Sequence, residues 1–414
     1  VKQKALLLLA TVLLTLACFG APLPTALPTS NSAVTPESVP SVTPQATALP
    51  EPLGKLKIAY ILDGNVWLWS EATSARQLTT DGDVTQVKIS DDGAVIAYQR
   101  EQSLWAANTD GALPRLLVDV PAYPNPVLPE RGAGLTLFLD QFEFQPNTHW
   151  VYFATAWGGE KPIIQSRDLH RVNADAPTPQ MLLDGDGGTI TFSTDGNLLA
   201  LASLTSIKVI HADGSGLVTA LSYPIISATS AYIPQVVWLS DETGFYTVIP
   251  DENGEMSKYL FVSAQGGFSA QLAEYEGSIP PIVSPDGLKV AYVKHTVNAE
   301  ELHIIEASTA DTIIASYEDA PLLVPWGWSP DSKRVVFSNA HPMLLLTAGI
   351  GIPPSPLTEA ISPYSLRWID AEHFIFFREG NLLIGQMNNP ETILIASGFS
   401  NQAEPKEYDF VVSP

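Results

Sequence analysis

The chain has 414 residues, 45% of them apolar and 16% charged, ample for a large buried core. Lys and Arg number 21 against 44 Asp and Glu, and the resulting formal charge of −23 argues against nucleic acid and anionic lipid surfaces as partners, because both need cationic patches. A single cysteine, Cys18, rules out an internal disulfide and a thiolate zinc cluster.

Lys2 and Lys4 precede an apolar run from Ala5 to Ala17. The run is short for a membrane span and has the length of a signal-peptide core. It closes with Leu14-Thr15-Leu16-Ala17-Cys18, which resembles the bacterial lipoprotein processing box. There a small residue precedes a cysteine that is lipidated and becomes the new N-terminus; Thr15 stands where that family prefers Leu. The resemblance implies a signal peptide over 1–18, lipidation of Cys18 and, with Phe19 rather than Asp, no inner-membrane retention signal. An ordinary signal peptide with a chance cysteine, hence a secreted protein, is the alternative. Residues 19–53 alternate Pro with Thr, Ser, Ala and Val. Such a segment cannot bury a core and favours extended polyproline II geometry. It reads as a disordered stalk reaching roughly 100 Å if fully extended.

From residue 54 to 414 a pattern recurs about every 45 residues, Ser-Pro-Asp-Gly followed by a hydrophobic-small-aromatic run. The clearest copies begin at Ser284-Pro285-Asp286-Gly287 and Ser329-Pro330-Asp331-Ser332. Pro presets φ, Asp bonds the backbone and Gly accepts positive φ, so the tetrapeptide is a turn between two strands. The second strand of the unit shows as Ile58-Ala59-Tyr60, Ile96-Ala97-Tyr98, Val151-Tyr152-Phe153, Leu199-Ala200-Leu201, Tyr246-Thr247-Val248, Val290-Ala291-Tyr292, Val335-Val336-Phe337 and Ile375-Phe376-Phe377. A third, alternating strand follows each, and a brief fourth is clear only in places. The first strand of the opening unit is missing ahead of Ile58, but Tyr408-Asp409-Phe410-Val411-Val412 supplies one at the C-terminus. The spacing from Ser413 to Ala59 across that junction matches the spacing from Ser284 to Ala291. The expectation is an all-β, single propeller of eight four-stranded blades, seven being the alternative. It closes by pairing the C-terminal strand with the first blade, which leaves no open sheet edge.

These units resemble the TolB-like, WD-repeat-like propeller repeats of bacterial envelope proteins, most closely at Trp328-Ser329-Pro330-Asp331. The resemblance implies a binding or scaffolding propeller with the first strand innermost. The small α/β domain of the Tol-associated proteins is absent, as is the hydrolase domain of prolyl-oligopeptidase-type enzymes, whose propellers share a similar repeat. The expected role is a monomeric, lipid-anchored extracytoplasmic propeller that binds or scaffolds a protein or glycan partner at the envelope and is not an enzyme. A propeller enzyme with a central-channel active site, or an architectural subunit of an envelope complex, are the alternatives.

No Gly-x-Ser-x-Gly elbow, phosphate loop or His-x-x-x-His pair occurs, so no catalytic residue, metal ligand or cofactor is expected. The repeat aspartates Asp92, Asp195, Asp286 and Asp331 read as turn residues, and the strand-one tryptophans Trp238, Trp326, Trp328 and Trp368 as blade packing. Asp184-Gly185-Asp186-Gly187-Gly188 lacks EF-hand spacing and reads as an acidic turn. His170 and His303 sit at matching places in strand three and read as packed or solvated blade residues. The long insertions fall between strands four and one, or two and three, and so emerge on one face. Their aromatics Tyr123, Trp157, Tyr223 and Tyr232 are the candidate partner-binding residues.

Overall fold

The computed structural model describes residues 53–412, apart from 113, 121, 123–135, 159–166, 227–231, 278–279, 308–309, 319–322, 340–343, 361–364 and 401–406. The signal peptide, Cys18, most of the stalk and Tyr123 lie outside the described residues. Past a short 3₁₀ turn at Leu53–Lys55, the described residues form eight antiparallel four-stranded sheets, the blades of an eight-bladed propeller. Blade 1 joins strands from 56–77 to the closing strand Tyr408–Val412; blades 2 to 8 follow as 84–119, 136–183, 189–222, 237–276, 282–318, 323–359 and 367–397. The count of eight and the circular closure expected from the sequence are both present.

The closing strand pairs antiparallel with Leu56–Leu62, Asp409 opposite Ala59 and Phe410 opposite Ile58. In blade 6 the residue opposite Ala291 is Ile282, two before Ser284, whereas Asp409 is four before Ser413. The closing strand is therefore slid two residues from the spacing the sequence implies. No covalent turn joins it to its partner, and a slip of two keeps every side chain on its own face.

Eight apolar clusters fill the eight seams between successive blades. Ile58 and Tyr60 face blade 8, meeting Ile375, Phe377 and Ile384, while Ala59 and Ile61 face blade 2, meeting Ile96 and Tyr98. Both faces of each middle strand are buried, which is why strand two reads as an unbroken hydrophobic run rather than a strict alternation. Each large side chain buried there stabilises the ring by about 1.5–3 kcal/mol relative to exposure.

The turns hold as the sequence anticipates. Ser90 Oγ donates to Asp92 Oδ1 at 2.7 Å and accepts from Val95 N at 3.0 Å, and Asp92 Oδ1 also accepts from Ala94 N at 2.9 Å. Ser193 with Asp195, Ser284 with Asp286 and Ser329 with Asp331 repeat the pattern. Two of the strand-one tryptophans knit blades together: Trp238 Nε1 donates to Thr191 O of the preceding blade and Trp328 Nε1 to Ile282 O, each at 3.1 Å.

Candidate functional site

One residue per blade stands opposite the strand-two positions Ala59, Ala97, Tyr152, Ala200, Tyr246, Ala291, Val336 and Ile375. In blade order these are Asp409, Lys88, Glu143, Thr191, Val237, Ile282, Gly327 and Arg367. All lie on the first strand, at the edge of the sheet. Seven of them are half-buried; Asp409 is buried. Together they make a ring of equivalent first-strand positions, one per blade. The ring is two-sided. Blades 8, 1, 2 and 3 contribute Arg367, Asp409, Lys88 and Glu143, an arc of alternating charge. Blades 4 to 7 contribute Thr191, Val237, Ile282 and Gly327, with no charge.

The charged arc is bound blade to blade. Arg367 Nη1 reaches Asp409 Oδ1 at 2.7 Å and Tyr408 O at 3.2 Å, and its guanidinium lies over the Phe410 ring at 4.8 Å. Asp409 Oδ2 accepts from Ile89 N at 3.0 Å. Lys88 Nζ meets Glu143 Oε1 at 2.7 Å. The Glu143 carboxylate is closely surrounded by protein, yet 39% of its side chain remains reachable by water. That desolvation pushes its carboxyl above the ordinary value, against the pull of Lys88, so Glu143 takes up a proton more readily than a surface glutamate. Burial disfavours the charge on Arg367, but Asp409 and the other nearby acid, Glu143, outweigh it and hold the guanidinium above its usual value. Chemically the arc offers donors and acceptors side by side, and the opposite arc offers apolar surface.

A second polar cluster spans the seam between blades 2 and 3 on the turn face. His149 places Nδ1 at 2.6 Å from Asp175 Oδ2 and Nε2 at 3.0 Å from Asp92 Oδ2. Asp91, Asp92, Asn147, Thr148, His149, Trp150, Asn173 and Asp175 line a cleft of about 600 Å³ around it.

The residues singled out from sequence are scattered. Tyr223 is 8% exposed, belongs to the core between blades 4 and 5, and donates to Ser203 O at 2.5 Å. Tyr232 donates its hydroxyl to Val248 O at 2.9 Å. Trp157 lies on the second strand of blade 3, opposite Leu137. His170 stacks on Phe153 and His303 on Tyr292, at 4.8 and 5.1 Å between centroids, both in blade interiors. Asp186 pairs with Lys208, and Gly185 N donates to Asp168. Among the ring residues, only Glu143 and Arg367 stand out in the sequence as charged exceptions on strand one. Lys88 and Asp409 are hidden inside the runs Val87-Lys88-Ile89 and Tyr408-Asp409-Phe410. Aligning the units on strand two and reading down the facing column is the signal that finds Lys88, Glu143 and Arg367, whereas the two-residue slide of the closing strand hides Asp409.

No protein-family model and no curated protein matches the chain. Solved structures do. One from a study of two prolyl endopeptidases is 10% identical with a TM-score of 0.52, the match covering 76% of this chain and 50% of that one. An oligogalacturonate lyase in complex with manganese is 13% identical with a TM-score of 0.48, covering 72% and 86%. TolB from Acinetobacter baumannii is 13% identical with a TM-score of 0.33, covering 61% of each chain. At such identities the likeness is one of fold alone. It does overturn one expectation. An enzyme, the prolyl endopeptidase, shares this fold, so the inference from missing linear motifs that the chain is not an enzyme does not hold. Residues that a propeller gathers from separate blades leave no contiguous motif.

Proposed function

We propose that the chain is a cell-envelope lipoprotein, anchored through Cys18, whose propeller takes a protein or glycan partner at the channel ring. The carrying observation is the two-sided ring, with Arg367, Asp409, Lys88 and Glu143 on one arc and Thr191, Val237 and Ile282 on the other. Polar groups that converge on one wall beside apolar surface are the usual make-up of a binding site. The insertion residues Tyr123 and Trp157 remain candidate further contacts for the partner. One observation favours a second reading, catalysis at the same ring: a carboxyl that burial pushes up, as at Glu143, is suited to hold and hand over a proton.

The test is a panel of neutral and acidic oligosaccharides and short peptides. It is applied to the full propeller and to Glu143→Gln with Arg367→Gln, following both binding and turnover. Loss of binding in the variant supports the ring, and equal binding by both proteins sinks it. Turnover abolished by Glu143→Gln selects the catalytic reading. Labelled fatty acid incorporated by wild type and not by Cys18→Ala supports the anchor; equal labelling removes it.

A further inference from the structure

The imidazole of His149 lies between two carboxylates on different blades, Asp175 of its own blade and Asp92 of blade 2. A neutral imidazole has one N–H and one lone pair, so it donates through only one nitrogen. Both nitrogens here sit at hydrogen-bonding distance from carboxylate oxygens, which accept and do not donate. The observed geometry is that of the imidazolium, donating on both sides. We propose that His149 is a proton-operated clasp across the seam between blades 2 and 3, closed when doubly protonated, and that it controls the Lys88–Glu143 half of the channel ring. This rests on the reading of that ring as the binding site.

The link to the ring is positional. Lys88 and Glu143 belong to the same two blades and bridge the same seam at its inner wall, at 2.7 Å. His149 bridges it at the turn face, one hairpin away from Glu143 along the chain. The groups facing His149 are Asp92 and Asp91 from the blade 2 turn, Asp175 from the outer turn of blade 3, and Arg115 from the outer strand of blade 2. Arg115 donates to Asp175 at 3.4 Å. Asp91 accepts from Asn147 N at 2.8 Å. Asp92 is already satisfied through Oδ1 by Ser90 and Ala94, so its Oδ2 is the oxygen the imidazole holds.

When the imidazole loses a proton it keeps the shorter contact, to Asp175, and turns a lone pair toward Asp92. That pair then repels, and the imidazole bridge across the seam opens, leaving the Asp91–Asn147 and Arg115–Asp175 contacts. Burial alone would lower the proton affinity of His149; the bonds to Asp175 and Asp92 overcome it and hold the value above that of an ordinary histidine. The clasp therefore stays closed to a higher pH than an ordinary histidine would allow and opens as pH rises through that raised value.

Hydrogen exchange on the full, ligand-free propeller tests this, with rates corrected for intrinsic pH dependence. Wild type is expected to lose protection over 90–95 and 147–151 as pH rises through the His149 titration, while the seam between blades 5 and 6 stays unchanged. In His149→Gln the same segments are expected at the low, pH-independent level. A flat wild-type profile, or an unchanged pH dependence in His149→Gln, overturns the clasp. The Glu143 carboxyl carbon shift, followed by NMR, is expected to show a second inflection at the His149 midpoint that His149→Gln removes. A Glu143 curve identical in both proteins overturns the control of the ring. No ligand enters either measurement, so failure of the clasp and failure of the binding site are separate outcomes.

Discussion

Asp409 accepts a hydrogen bond from the backbone nitrogen of Ile89, 3.0 Å away and 320 residues earlier in the chain. With its other oxygen it holds Arg367 of blade 8 at 2.7 Å. One carboxylate thus binds the last strand of the protein to the blade before it and the blade after it. Among the described residues this carboxylate is one of the polar fastenings of the ring, beside the ladder between the closing strand and Leu56–Leu62.

Asp409→Ala is accordingly expected to cost about 2–3 kcal/mol, because it leaves the Ile89 N–H without its acceptor and the Arg367 charge without its partner. Asp409→Asn keeps an acceptor for Ile89 and should cost about half as much. Urea unfolding midpoints at constant slope measure both. Removing 408–414 altogether exposes the Leu56–Leu62 edge, and the truncated chain should aggregate, by light scattering, at concentrations where wild type does not. A truncated chain as soluble and as stable as wild type would mean that closure contributes nothing.

Much of this architecture is legible in the sequence, because Ser-x-Asp turns at Ser90, Ser193, Ser284 and Ser329 mark the phase of four units and the hydrophobic run of strand two carries it through the others. Strands one to three are then read by counting. Strand four is not, because it carries a one-residue slip in blades 2 to 8. Trp105 pairs with Leu116 and Leu104 with Val118, skipping Leu117; His303 pairs with Ile313 and Leu302 with Ala315, skipping Ile314. A bulge breaks the period of two on which strand reading depends, and it also blunts an outer edge. The site is less legible for a different reason. Lys88 and Glu143 are 55 positions apart, and Arg367 and Asp409 are 42 apart. Each is an ordinary charged residue until the ring lines them up. Tyr223 shows the reverse error, an insertion aromatic that looks available and is spent on its own core.

Gly287 closes the blade 6 turn at φ +69°, where an added Cβ would lie 2.0 Å from Tyr246 Cδ2. Gly267, at φ +73°, has nothing within 4 Å. The two alanine variants therefore separate backbone strain from steric conflict. Gly267→Ala should cost about 1 kcal/mol from the left-handed backbone alone. Gly287→Ala should cost about 2–3 kcal/mol more, since Tyr246 is held between Tyr259 and Phe261. Thermal midpoints give the comparison, and equal losses would contradict it.

Trp328 and Trp368 occupy successive blades, but only the first indole has an acceptor: Trp328 Nε1 bonds Ile282 O, whereas Trp368 Nε1 is buried without a partner among the described residues. Substitution by Phe shrinks both side chains alike. Trp328→Phe should nevertheless cost about 1 kcal/mol more than Trp368→Phe, the net worth of the hydrogen bond it removes. Chemical denaturation of the two variants reads the difference, and a smaller loss at Trp328 would contradict it.

Blade 3 carries two histidines whose titrations oppose each other. His170 is fully buried against Phe153, and desolvation pushes its pKa down to about 4. The unfolded chain binds that proton near pH 6.5, so the stability His170 contributes is present above about pH 6.5 and is lost as pH falls toward 4. The full loss is on the order of 3 kcal/mol. His149 runs the other way. Its pKa is raised, so its contribution is present below about pH 6.5 and is lost as pH climbs through the higher folded value. Unfolding free energy against pH should thus fall on the acid side in wild type and fall less steeply there in His170→Phe, which keeps the stack on Phe153. In His149→Gln the deficit relative to wild type should be largest at mildly acid pH and should close under alkaline conditions. An acid limb unchanged in His170→Phe, or a His149→Gln deficit that grows with pH, would contradict these assignments.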